Sequence, residues 1–146
     1  MAFRFRFATL LNVRRIQENL AQQALSQAQR QLSSLVAMRE QVMIRKETLR
    51  AELMTRMQGG VTSEEVRQYY TYLHHLEEGI ARIDENIEKA GRLVDEKREA
   101  LLKAKRARKG IDRLREIHKA RHDEIERKHE MNFLDEIAVI KAGGER

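Results

Sequence analysis

The side chains best able to do chemistry in this chain are its five histidines, because it contains no cysteine. His118 and His122 stand four residues apart, so on a helix both imidazoles project from one face, with Glu126 close by and His129 two turns further on. Zinc asks for four such ligands held rigidly, and one helix face supplies only part of that set. A solvated polar face with no metal is therefore the expectation. His74 and His75 are adjacent and leave a helix in different directions. Catalytic motifs are absent as well: no Gly-x4-Gly-Lys loop to cradle phosphates, no Gly-x-Ser-x-Gly elbow to carry a serine nucleophile. These residue types point away from an enzyme and from any bound cofactor.

Two other groupings suit binding. Tyr69, Tyr70 and Tyr72 crowd together with Leu73 and Leu76, and tyrosine beside leucine makes a typical interaction hot spot. Lys97, Arg98, Lys103, Lys105, Arg106, Arg108 and Lys109 form a basic run opposed internally only by Glu99. That run, with Arg14 and Arg15, is a candidate anion-facing band for phosphates, anionic lipid or an acidic protein. Aromatic residues do not interleave with it, so it lacks the stacking platforms of a nucleic-acid surface, and no nucleic acid is expected.

The elements that must position these groups are helices. From Val66 onward, Val66, Leu73, Ile80, Ile87, Val94, Leu101 and Arg108 alternate with Tyr69, Leu76, Ile83, Ala90, Lys97, Ala104 and Ile111 at the three-and-four spacing of a heptad. Twelve of these 14 positions are apolar, where a chain that is 41% hydrophobic would place about six by chance. One such seam needs a partner helix. Upstream, no Gly or Pro interrupts Leu10 to Met57, and an apolar path can be drawn through Leu10, Val13, Ile16, Leu20, Ala24, Ala28, Leu32, Leu35, Met38, Val42, Leu49, Leu53 and Met57. Counting Lys46 in that path gives a repeat nearer 11 residues than seven, which predicts a straight or weakly supercoiled helix.

Gly59-Gly60 supplies the reversal, and Thr62-Ser63-Glu64-Glu65 follows as a capping box with Thr62 at the N-cap and Glu65 at N3. The expected fold is all-α: one domain over 1–146, an antiparallel two-helix coiled coil with helix 1 about 9–58, a turn at 59–62, a longer helix 2 about 63–141 and a frayed tail 142–146. Thr9 or Asn12 is the expected N-cap of helix 1. Pairing across so short a turn sets residue i opposite about 121 − i. That register brings Arg14 and Arg15 near Arg106, and Arg39, Arg45 and Lys46 near Glu77, Glu78, Asp84 and Glu85. It leaves Ile117, Ile125, Phe133, Leu134, Ile137, Val139 and Ile140 beyond the reach of helix 1, unless the chain before Thr9 folds along them.

Composition agrees: 36% charged residues, 5% aromatic, no Pro and no Trp describe a chain that buries a stripe. The net charge of +6 resides entirely in residues 1–58, which hold ten Lys/Arg against four Asp/Glu. Nothing reaches the roughly 18 apolar residues of a membrane span, so a cytosolic or membrane-peripheral location is expected.

The opening Phe5-Arg6-Phe7, followed by Thr9-Leu10-Leu11-Asn12-Val13-Arg14, resembles the N-terminal signature of the flagellar export protein FliJ family. Gly60-Val61-Thr62-Ser63-Glu64-Glu65, then Tyr69 and Tyr72-Leu73 through Leu76-Glu77, resembles that family's turn and second-helix start. Phe7 stands where the family more often has Leu. The resemblance implies a component of the flagellar type III protein export apparatus, built like the two-helix part of the stalk of rotary ATP synthases. It implies binding to the hexameric export ATPase FliI, contact with the membrane export gate FlhA, and escort of export chaperones at the cytoplasmic face of the inner membrane. On that expectation Arg14, Arg15, Lys103, Lys105, Arg106 and Lys109 meet the ATPase, and Tyr69, Tyr70, Tyr72, Leu73 and Leu76 face the gate. Two alternatives come from other classes: a homo-oligomerising structural coiled coil, and a basic coiled coil that binds nucleic acid.

Overall fold

The computed structural model describes residues 2–144. It is an all-α antiparallel hairpin of two helices, α1 (Ala8–Gly59) and a longer α2 (Ser63–Gly144). The reversal forms as its residue types dictate. Gly60 takes φ +93°, a left-handed conformation open to glycine at little cost, and so ends α1. Thr62 then caps α2: the Glu65 N–H donates to Thr62 Oγ1 at 3.2 Å, and the Val66 N–H to the Thr62 carbonyl at 3.1 Å. Glu64 and Glu65 in the first turn of α2 meet the positive end of its dipole.

The heptad of α2 is seen position by position. None of its 14 seam residues from Val66 to Ile111 is exposed, and Leu73, Ile80, Ala90, Val94 and Leu101 are buried. From Ala28 to Leu53 the seam of α1 follows the apolar path drawn through the sequence except at Met38, which gives way to Arg39; before Ala28 it takes a different course. The seam runs Leu11, Arg14, Glu18, Ala21, Leu25, Ala28, Leu32, Leu35, Arg39, Val42, Lys46, Leu49 and Leu53, all buried or half-buried and alternating by three and four, with Ala24, Ser26 and Met43 half-buried beside it. Leu10, Val13, Ile16, Leu20, Met38 and Met57 are exposed instead. The reason is geometric. A helix packed along a 3.5-residue seam must present its own residues at the same period, so α1 follows the heptad through polar positions and leaves apolar ones outside.

Within Ala21–Leu101, one compact unit, the core gathers into two clusters. Leu25 and Ala28 meet Val94 and Leu101, with Ala21, Leu32 and Leu93 packed against them. Nearer the turn, Leu49 and Leu53 meet Leu73, supported by Val66, Tyr69 and Leu76. Two polar seam residues of α1 reach acidic partners on α2: Arg39 pairs with Asp84, and Lys46 Nζ lies 3.4 Å from Glu77. Arg45 instead lies over the Tyr72 ring, 6.0 Å from its centroid.

The second unit joins the segment up to Leu20 with the chain from Leu102 onward. Residues 2–5 are not helical, yet they are anchored. Phe3 packs on His122 with ring centroids 5.5 Å apart, and Phe5 on His118 at 5.7 Å. The chain before Thr9 thus folds along α2. Neither Thr9 nor Asn12 caps α1: the helix begins at Ala8, and the Phe7 carbonyl accepts from the Leu11 N–H at 2.9 Å. Aromatic contacts aim the chain into α1, and backbone bonding alone starts it. At its far end α2 continues through Ala142 and Gly143 to Gly144 rather than ending near Lys141; glycine lowers helix propensity by about 1 kcal/mol without blocking the geometry. The remaining two residues of the expected tail lie outside the described residues. From Arg127 to Gly144 every residue is exposed.

Candidate functional site

A polar centre interrupts the seam of the terminal unit. Arg108 occupies a heptad position, and its guanidinium forks onto Glu18: Nε donates to Oε2 at 2.6 Å and Nη2 to Oε1 at 3.2 Å. Its remaining nitrogen, Nη1, donates to Asp112 Oδ2 at 2.9 Å, and Arg15 Nη2 donates to the other Asp112 oxygen at 3.5 Å. Two cations and two carboxylates thus close a network across the helices. Hydrogen bonding to Arg108 holds the Glu18 and Asp112 carboxyls below their ordinary range, and the two carboxylates raise the Arg108 guanidinium in return. Such a fork has a fixed planar geometry and so specifies register at a seam position.

This network revises the expected charge map. The turn-based register sets Glu18 opposite residue 103 and Arg15 opposite Arg106; the structure pairs them with Arg108 and Asp112. The register is settled by matching the two heptads and not by counting from the turn. Acidic Glu18 and Asp112 therefore lie between the two basic clusters that the turn-based register would merge. Arg14 is half-buried and donates to Gln17 Oε1 at 3.2 Å, and Arg15 is tied to Asp112. Lys103, Arg106 and Lys109 are exposed and Lys105 is half-buried; among the described residues none of the four enters an ion pair. The surplus charge is accordingly local. The terminal unit holds 17 Lys/Arg against 10 Asp/Glu, and Ala21–Leu101 holds 12 against 13.

At the turn end the aromatic cluster divides by position. Leu73 is 5% exposed and belongs to the core, and Leu76 is half-buried against it. Tyr69 is half-buried, donates its hydroxyl to Glu52 Oε1 at 3.2 Å and lies under the Arg56 guanidinium at 5.8 Å. Desolvation is the first cause that raises the Tyr69 phenol above its ordinary value. Tyr70 and Tyr72 are exposed, and Tyr72 shares a shallow depression with Tyr69, Leu49, Arg56, Glu65 and Gln68. A partner at this end would meet Tyr70, Tyr72 and the edge of Tyr69.

His118 and His122 have aromatic neighbours, Phe5 and Phe7 beside the first and Phe3 beside the second. Among the described residues no group of three His, Cys, Asp or Glu could hold a metal ion. No helix in them is long and apolar enough to cross a membrane. Sequence reading missed the exposed apolar stripe of Leu10, Val13, Ile16 and Leu20, because hydrophobicity assigned it to the seam. Extending the α2 heptad onto α1 would have exposed it.

The geometry describes a helical hairpin with a basic unit at its termini and aromatic side chains at its turn. No curated protein and no solved structure matches the chain. The family described as "Flagellar FliJ protein" matches residues 3–146, essentially the whole sequence. The chain belongs to the flagellar FliJ family, whose members are components of the flagellar export apparatus.

Proposed function

We propose that this protein acts as a stalk-like element of the type III export apparatus: it binds the hexameric export ATPase FliI, promotes its assembly and activity, and links it to the export gate FlhA. It turns over no nucleotide itself. Its place in this reading is the cytoplasm, peripheral to the inner membrane through the apparatus, with an added role in escorting export chaperones. The observation that carries the reading is the partition of charge. All of the excess positive charge resides in the terminal unit, where Lys103, Lys105, Arg106 and Lys109 stand outside the ion-pair network. Cations left unpaired in this way favour and steer an acidic partner surface. Tyr70 and Tyr72, exposed at the turn, are the residues assigned to the gate.

The test is the ATP turnover of the cognate export ATPase against added protein at physiological salt, comparing the native chain with one in which Lys103, Lys105, Arg106 and Lys109 are all Gln. Stimulation by the native chain, lost in the variant, is expected. Stimulation that survives the change would move the contact elsewhere, and no stimulation from either chain would refute the ATPase role.

A further inference from the structure

The far part of α2 leaves a large apolar surface in water. Phe133, Leu134, Val139 and Ile140 are each more than 60% exposed, and Ile137 lies on the same stripe at 40%. Phe133, Ile137 and Ile140 follow the four-and-three spacing of a packing face. Contiguous apolar surface of this kind marks an interaction site. The charges around it indicate what covers it. Residues 123–140 hold six Asp/Glu against two Lys/Arg, whereas residues 102–121 of the same helix hold nine Lys/Arg against two Asp/Glu. One helix thus carries an acidic, apolar segment directly after a basic one.

We propose that two copies of this chain associate through their terminal units, the 123–140 segment of each lying antiparallel along the 102–121 segment of the other. The charges choose the direction. Parallel pairing would set acidic segment on acidic segment, whereas an antiparallel overlap centred near His122 sets opposite signs level throughout. In that overlap Asp135 comes level with Lys109, Asp123 with Arg121 and Lys128 with Glu116, and Glu130 comes within one residue of Arg113. The arrangement is isologous, as a two-fold dimer requires. Apolar residues are available on the receiving side too: Leu102 and Ile117 on α2, and Val13 and Ile16 on the stripe that α1 leaves exposed. An overlap of about 38 residues spans roughly 57 Å of helix. A strip of that length, one helix wide, is of the order of the roughly 800 Å² per partner found in stable complexes. This association does not depend on the proposed function, although it covers Lys109 and would compete with an ATPase contact there.

Sedimentation velocity from about 1 to about 300 µM tests it, with Glu130→Lys/Asp135→Lys as one variant and Lys109→Glu/Arg113→Glu as a second. All four positions are exposed, and far-UV circular dichroism checks that helix content is unchanged. The native chain is expected to pass from monomer to dimer over this range. Each variant alone should dissociate at least about tenfold more readily, because like charges then meet at both ends of the interface. An equimolar mixture of the two should recover the native association, since in the mixed dimer each substituted position again meets the opposite sign. A native chain that stays monomeric throughout, variants that associate as well as the native chain, or a mixture no stronger than its components would each overturn the proposal.

Discussion

Replacing Leu25 by alanine separates the two courses that the α1 seam could take. In the structure Leu25 is 6% exposed and packs among Ala28, Val94 and Leu101, whereas Leu20, on the apolar path drawn from sequence, is 58% exposed. The substitution removes three carbons, worth about 0.8 kcal/mol each when buried, or roughly 2.4 kcal/mol in all. Fully enclosed cores add a cavity cost that carries Leu→Ala changes to about 5 kcal/mol. Two helices can close on a gap more easily, so about 2–3 kcal/mol is expected. Leu20→Ala carries the same change in helix propensity and should cost less than about 0.5 kcal/mol, as surface substitutions do. Thermal unfolding at about 1 µM, followed by circular dichroism at 222 nm, should lower Tm by about 5–10 °C for Leu25→Ala and barely for Leu20→Ala. Equal losses, or a larger loss for Leu20→Ala, would refute the strict heptad and restore the path through Val13, Ile16 and Leu20.

Two further outcomes follow from the geometry. The Glu18 and Asp112 carboxyls have folded pKa values depressed by Arg108, so their contribution is present above the ordinary values, 4.5 for Glu18 and 3.8 for Asp112, and is lost as pH falls through the lower folded values. Urea midpoints measured from pH 7 down to about pH 3 should therefore fall in acid, and Glu18→Gln should flatten part of that fall; an unchanged profile would show that the fork contributes nothing. Gly60→Ala places a Cβ in open space but at φ +93°, so only conformational strain acts, and a loss of about 1–2 kcal/mol in urea unfolding is expected. No loss would mean that the turn relaxes to another conformation.

Much of the architecture was legible in the residues themselves. The α2 heptad, the Gly59-Gly60 reversal and the Thr62 cap are local statements: spacing and side-chain chemistry within a few residues suffice to define them, and each is found where the sequence places it. The matching helix α1 was legible as a helix, since nothing between Leu10 and Met57 breaks one. Its buried face was not. Along 10–20 two stripes compete, one apolar through Leu10, Val13, Ile16 and Leu20, and one mixed through Leu11, Arg14 and Glu18. Hydrophobicity favours the first. Tertiary structure chose the second, because the partner helix imposes its 3.5-residue period and because Arg108 gives Glu18 a bidentate partner there, so that a polar seam residue loses little on leaving water. The same choice decided the site. Which arginines are engaged, which lysines remain open to a partner, and which leucines are left in water all depend on register, and register belongs to a pair of helices, not to either sequence segment alone.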